Sequence, residues 1–131
     1  MDGLKRITIA EAVERIDLHR ANTIPREEKV AWLNELDRAA WVEIFTTHVG
    51  LPPESRFDGY DQDTDPSTLL LIPEPYADVY KHWMASKIAQ VTGESGKYAQ
   101  DAALYNAAYQ AFGDAWRRTH MPIKRRKYIR F

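Results

Sequence analysis

The stretch "SGKYAQDAALYNAAYQAFGDAWRRT", residues 95–119, contains the longest helical pattern in the chain. Six positions on it alternate steps of four and three: Tyr98, Ala102, Tyr105, Tyr109, Phe112 and Trp116. That spacing places them on one face of an α-helix, and such a stripe is more simply explained by a core than by a cofactor slot. The alanines among them are small enough to let another helix approach closely: Ala103, Ala107, Ala108, Ala111 and Ala115. Pro122 ends the pattern.

The first of three further helical patterns starts at the N-terminal end of the chain. Thr8 and Glu11 have the spacing of a capping box, which predicts a helix that begins at Thr8 and fades near residues 19–22. Its apolar face is predicted to contain Ile9, Ala12, Val13 and Ile16.

The second and third helices are expected on either side of a long connection. The second starts near Pro25 and runs to about His48, and its apolar stripe consists of Val30, Leu33, Leu36, Ala40 and Ile44. The third opens near Pro75 and runs to about Thr92, with Gly93 as its C-terminal cap. Its apolar face is predicted to hold Tyr76, Val79, Tyr80, Trp83, Ile88 and Val91.

These patterns predict an all-α, four-helix bundle-like domain with a long extended loop between helices two and three and an extended C-terminal arm. We expect the helical domain to span residues 1–121 and the arm to span residues 122–131. A chain of 131 residues favours one domain. It has no cysteine, which excludes disulfides and thiolate metal sites, and no apolar run of the ~20 residues that cross a bilayer.

Charge is distributed unevenly along the chain. Residues 1–120 contain all 19 acidic residues and 13 of the 18 basic ones, whereas the last eleven residues contain five basic residues and no acid. The arm "KRRKYIRF" also interleaves apolar side chains with the basic ones: Lys124, Arg125, Arg126, Lys127, Tyr128, Ile129, Arg130 and Phe131. This composition suits nucleic-acid contact, insertion into a groove of another protein, or a solubilising tail.

The loop sequence "GYDQDTDPSTLLLIPEPY", residues 59–76, begins like a calcium-binding loop at Asp61, Asp63 and Asp65. Such a loop needs glycine at its sixth position and a bidentate acid at its twelfth, where this chain has Pro66 and Ile72. We therefore expect an acidic turn capped locally, at Asp65 and Ser67, without a metal. "TLLLI", residues 68–72, is either a short strand or a buried extended stretch.

Catalytic motifs are not evident. No two of the four histidines lie four residues apart, and no HExxH, GxSxG or glycine-rich phosphate loop occurs. Asp78 and His82 lie one helical turn apart, a spacing that more often gives a weak surface pair than a catalytic one. The sequence predicts a protein that is not an enzyme and uses no cofactor.

Four stretches in this order resemble the head–tail connector (adaptor, or head-completion) proteins of tailed bacteriophages: "WLNELD" (32–37), "YDQDTDPSTLLLIPEPYADVY" (60–80), "YNAAYQAF" (105–112) and "RRTHMP" (117–122). The resemblance covers roughly residues 8–122. It implies a helical bundle whose copies form a ring, usually of twelve, beneath the portal in the neck of the virion. Such a ring extends the DNA channel, docks the next neck or tail protein, and is assembled in the host bacterial cytoplasm.

The resemblance also implies roles for particular segments. The arm, residues 124–131, is expected to bind the portal. Six loop residues are expected to face a neighbouring subunit or the channel: Tyr60, Asp61, Asp63, Asp65, Leu70 and Leu71. Genomic DNA would pass without sequence-specific binding, and no membrane is involved. The alternative is a small helical nucleic-acid-binding protein, such as a packaging-associated factor or regulator, against which the sequence pI of about 6.4 argues.

Overall fold

The computed structural model describes residues 4–48 and 56–122. Within these residues the chain forms four α-helices and no strand, which confirms the all-α bundle-like prediction. The helices are α1 (Ile9–His19), α2 (Arg26–Ala40), α3 (Asp78–Thr92) and α4 (Ser95–Thr119). The long helices α3 and α4 form the most extensive pair, and α3 also packs against α1 and α2.

The start of α1 is the predicted capping box. Thr8 Oγ1 accepts a hydrogen bond from Glu11 N at 3.0 Å, and Glu11 Oε1 accepts one from Thr8 N at 2.9 Å. Two backbone N–H groups that have no partner within the helix are thereby satisfied. The buried face of α1 consists of Ile9, Ala12 and Ile16, with Val13 partly buried beside it.

The helix predicted from Pro25 to about His48 is divided at Ala40. Pro25 is the N-cap, and α2 is followed by a π-helical turn at Trp41–Phe45, in which Thr46 N donates to Trp41 O at 3.0 Å. Such a turn accommodates one extra residue and lets consecutive side chains, Ile44 and Phe45, both enter the core. All five predicted stripe residues of this segment are buried.

Helix α3 begins at Asp78, three residues later than predicted, and ends as predicted at Gly93, whose φ of +75° suits a residue without a side chain. The prediction was wrong for Val91, which is 63% exposed. Ala85, Ile88 and Ala89 form the buried side, and Val91 lies two positions past Ala89, on the opposite side of the helix.

The stretch at residues 68–72 is extended and partly buried, and it forms one isolated β-bridge, between Thr8 and Leu69. It runs antiparallel to residues 5–9. Ile9 N donates to Thr68 O at 3.0 Å, and Leu70 N donates to Ile7 O at 2.8 Å. Ile7, Leu70 and Ile72 are fully buried, so this pair of segments covers one side of the bundle.

The aromatic stripe of α4 reaches the core at its C-terminal half. Phe112 and Trp116 are buried, and the Phe45 ring lies 5.8 Å from Phe112 and 4.5 Å from Trp116 between centroids. Tyr105 and Tyr109 are half-buried, whereas Tyr98 is 40% exposed. The stripe is therefore part of the core, and its side chains become more exposed toward the N-terminus of α4.

Candidate functional site

The connection between α2 and α3 is fixed to the bundle by one buried carboxylate, Asp37 of α2. Tyr60 Oη donates to Asp37 Oδ2 at 2.6 Å, and Leu71 N donates to the same oxygen at 3.0 Å. Tyr80 Oη of α3 donates to Asp37 Oδ1 at 2.6 Å and accepts from Ile72 N at 2.7 Å. These contacts, the Asp37 cluster, join three separate segments of the chain.

Burial and hydrogen bonding act in opposite directions on this cluster. Burial raises the pKa of Asp37 to about 6, although the two tyrosine hydroxyls, the Leu71 N–H and the Arg6 guanidinium all favour the ionised form. Burial and the Asp37 carboxylate together raise the pKa of Tyr60 and of Tyr80, so both hydroxyls remain protonated donors.

Sequence reasoning missed Asp37. A signal was present, because Asp37 lies four residues after Leu33 and three before Ala40, on the same side of α2 as the apolar stripe. An aspartate at such a position needs buried hydrogen-bond donors, and here they come from Tyr60 and Tyr80.

The acidic part of the loop consists of two local turns. Asp61 Oδ1 accepts from Asp63 N at 2.8 Å, and Asp65 Oδ1 accepts from Ser67 N and Ser67 Oγ, both at 2.9 Å. The predicted local capping at Asp65 is confirmed, and these bonds hold its pKa below the usual range. Over the described residues no three His, Asp or Glu side chains lie together as a metal site would need. That the loop binds no calcium stays a prediction.

The six loop residues expected to contact a neighbour or the channel divide into three groups by their burial. Asp61, Asp63 and Asp65 are exposed, so their expected role stays a prediction. The expectation was wrong for the side chain of Leu70, which is fully buried in the core of its own chain. Tyr60 and Leu71 are partly buried, and both donate hydrogen bonds to Asp37.

A pocket of about 360 Å³ lies between α2 and this loop. Its lining includes three exposed carboxylates, those of Glu27, Asp61 and Asp63, together with Asn34 and Tyr60. The loop above it is positioned by Asn34, whose Oδ1 accepts from Tyr60 N at 2.9 Å. The pocket is a negatively charged surface feature.

The histidines are dispersed. His82 is half-buried, and burial lowers the pKa of its imidazole while Asp78, one turn earlier, opposes this. His120 stacks on Trp116, with 3.7 Å between ring centroids. No described histidine is held against a hydroxyl nucleophile and a carboxylate together, and the absence of enzymatic activity stays a prediction.

The base of the arm has a defined position. Pro122 forms an isolated antiparallel bridge with His48, so α4 and the α2–π-turn segment end side by side. The last turn of α4 carries Arg117 and Arg118, which suit the partial negative charge at a helix C-terminus. The eight residues expected to bind the portal, 124–131, lie outside the described residues, and the boundary between domain and arm stays a prediction.

Helix α4 also presents an uncharged surface to solvent. Between Tyr98 and Gly113 its only acid or base is Asp101, which is buried and paired with Arg20 at 2.7 Å. The side exposed to solvent, here called the α4 outer face, consists of Ala99, Gln100, Ala103, Leu104, Asn106, Ala107, Gln110 and Ala111. Three of the alanines expected to admit another helix are therefore not used within the monomer.

Comparison of the chain with models of protein families, with curated proteins and with solved structures finds no match. Within residues 4–48 and 56–122, no helix combines the length and the apolar character needed to span a bilayer.

Proposed function

We propose that this protein is a structural head–tail connector of a tailed bacteriophage, which forms a ring below the portal, extends the DNA channel and docks the next neck or tail protein. The observation that carries the proposal is the separation of an acidic helical body from a basic, apolar-tipped arm that starts at a fixed point. Residues 1–120 carry a net charge of −6 and residues 121–131 a net charge of +5. Such a charge distribution suits a structural subunit whose helical body is attached to a larger partner through the C-terminal arm.

The arm has the composition of an anchor. A purely electrostatic arm would not need Tyr128, Ile129 and Phe131, whereas each large apolar side chain that is buried in a partner contributes ~1.5–3 kcal/mol. The five basic residues would orient the arm on an acidic or neutral rim of the portal and would raise its association rate.

The α4 outer face supports contact between copies of the chain. A solvated helix face ordinarily carries charges, but this one has none over more than three turns. Its alanines recur every four residues, at Ala99, Ala103, Ala107 and Ala111, and small side chains let two helices approach closely. We assign this face to the contact between neighbouring subunits of the ring.

The exposed aspartates of the loop fit either a channel wall or a subunit boundary. Asp61, Asp63 and Asp65 are exposed and bonded only within their own turns. Phosphate contacts with basic side chains dominate the affinity of proteins for DNA, so a channel lined by carboxylates would let DNA pass without retaining it.

The second candidate function, a small nucleic-acid-binding protein, is favoured only by the arm. Basic residues interleaved with aromatic ones suit phosphate contact and base stacking. The helical body offers little more, because its net charge is negative and the α4 outer face carries no basic residue.

The two candidates are separated by the mass of the full chain, measured in three samples. These are the chain alone, the chain with purified portal rings, and the chain with duplex DNA. The connector function predicts that the chain joins portal rings in a fixed multiple and leaves the mobility of DNA unchanged at physiological salt. A chain that shifts DNA and ignores the portal would support the second candidate and contradict the first.

A further inference from the structure

The hydrogen bonds in the Asp37 cluster match an ionised carboxylate. Its two oxygens accept from three donors, Tyr60 Oη, Tyr80 Oη and Leu71 N. A protonated carboxyl group must itself donate one hydrogen bond, and a backbone N–H cannot accept it. The proton must therefore be accepted by a tyrosine oxygen, and that tyrosine then loses the acceptor for its own hydroxyl hydrogen.

The two tyrosines are not equivalent in this respect. Tyr80 is 1% exposed, and its oxygen already accepts from Ile72 N, so its hydroxyl hydrogen has no route to water. Tyr60 lies at the edge of the acidic pocket and is partly exposed, so its hydroxyl can turn toward solvent. Because a buried donor without an acceptor is costly, the proton is expected to lie on Oδ2 and to be donated to Tyr60 Oη, which replaces the charge-assisted hydrogen bond of Tyr60 with a weaker neutral one and leaves Tyr80 in place.

The charged and titratable groups that face Asp37 come from three directions among the described residues. They are Arg6 of the N-terminal segment, Tyr60 of the loop and Tyr80 of α3. Arg6 Nε also donates to Leu70 O at 2.7 Å, which places the guanidinium beside the extended stretch. Burial outweighs these groups and raises the pKa of Asp37 to about 6, so its charge changes under mildly acidic conditions.

We propose that Asp37 is a protonation-sensitive latch for the α2–α3 loop. The ionised carboxylate holds Tyr60 against the bundle, and the protonated carboxyl holds it only through the weaker neutral hydrogen bond, while Leu71, Ile72 and Tyr80 keep the extended stretch in place. Residues 56–64 then open more often, and residues 69–72 do not. This device is a property of the monomer and does not depend on the proposed function.

Other contacts limit the expected size of the change. Tyr60 N still donates to Asn34 Oδ1 at 2.9 Å, and the Arg38 guanidinium lies 5.2 Å from the centroid of the Phe57 ring. Replacement of one hydrogen bond to a charged group by a neutral one should increase the opening of residues 56–64 by about tenfold.

Amide hydrogen exchange of the full chain tests the latch, with protection factors for residues 60–64 and for Leu71 and Ile72 measured at about pH 5 and about pH 7.5. In the wild-type protein, protection of residues 60–64 should fall by about tenfold at the lower pH, while Leu71 and Ile72 stay protected. Tyr60→Phe should show the lower protection at both pH values. Asp63→Asn, which removes an exposed carboxylate of the same loop, should behave as wild type.

Two results would overturn the proposal. One is equal protection of residues 60–64 at both pH values in the wild-type protein. The other is a carboxyl ¹³C titration in which Asp37 stays ionised through the whole range in which the loop opens. Both measurements use the wild-type chain, so the test does not depend on whether a variant at Asp37 folds.

Discussion

At the residue scale, the buried carboxylate of Asp37 holds the loop and α3 to α2 through hydrogen bonds. An aspartate is ordinarily exposed, and the two tyrosines that donate hydrogen bonds to the buried Asp37 lie 23 and 43 residues away in the sequence. Local sequence patterns therefore could not identify the cluster, although the place of Asp37 on the apolar side of α2 could be read from its spacing. The capping box at Thr8 and Glu11 is the opposite case, because its partners are three residues apart.

The first prediction concerns the pH dependence of stability. The pKa of Asp37 is raised to about 6, so the folded state binds a proton more tightly than the unfolded state. The contribution of Asp37 to the free energy of unfolding is therefore fully present below about pH 4 and is lost as the pH rises through about 6, at up to ~1.4 kcal/mol per pH unit. Urea unfolding across this range should show that slope in the difference between wild type and Asp37→Asn. If the difference in the free energy of unfolding between the two proteins is constant with pH, the raised pKa of the buried Asp37 carboxyl is contradicted.

The second prediction concerns the acidic turns. Asp61 and Asp65 are engaged by their own backbone turns, and Pro66 and Ile72 occupy positions that a calcium loop needs for glycine and a carboxylate. Calorimetric titration with calcium should show no saturable heat at micromolar concentrations. A tight one-site isotherm that disappears in Asp63→Ala would show that a calcium site is present.

At the element scale, the bounds of the helices followed from local chemistry where a cap or a glycine was present. The start of α1 at its capping box and the end of α3 at Gly93 are of this kind. The π-helical turn at Trp41–Phe45 was not predictable, because it depends on how Phe45 packs against Phe112 and Trp116 of α4. Tertiary packing also decided which side of α3 is buried, and Val91 was misassigned for that reason.

The third prediction tests the core contact between α4 and the π-helical turn. Phe112 is fully buried against Phe45, Tyr76 and Trp116. Phe112→Ala should lower the free energy of unfolding by ~3–5 kcal/mol, the range for a buried aromatic residue truncated to alanine. Tyr98→Ala, on the same helix but 40% exposed, is the matched control and should cost much less. A loss below ~1 kcal/mol for Phe112→Ala would place the ring outside the core.

At the scale of the whole molecule, the fourth prediction concerns the α4 outer face. Glutamate has nearly the helix propensity of alanine, so Ala107→Glu should change the free energy of unfolding by less than ~0.5 kcal/mol. If the face packs against another copy, the added charge would be buried in that contact, and ring assembly on the portal should fail.

Gln90→Glu, an equal change of charge on the exposed side of α3, serves as the control. Sedimentation of each variant with portal rings measures the number of copies bound. If Ala107→Glu assembles normally on the portal, the α4 outer face is not the contact between subunits.

The fifth prediction concerns the arm and its chemistry. Ile129→Asp combined with Phe131→Asp leaves all five basic residues in place but removes two apolar anchors, and it should impair binding to the portal nearly as much as deletion of the arm. Replacing the five basic residues with glutamine should mainly reduce the salt dependence of binding, because exposed charges act through a screened field. Binding measured over a series of salt concentrations separates the two contributions.

The most direct test of the connector function is co-sedimentation of the full chain and of a variant lacking residues 123–131 with filled, tailless heads. Residues 123–131 follow α4, the last helix of the described residues, in sequence, so the deletion variant should keep the helical content and melting behaviour of the wild-type protein. We predict that the full chain binds heads saturably and that the deletion variant does not. Binding of the folded deletion variant at wild-type stoichiometry would show that the arm is not the anchor, and failure of the full chain to bind would contradict the connector function itself.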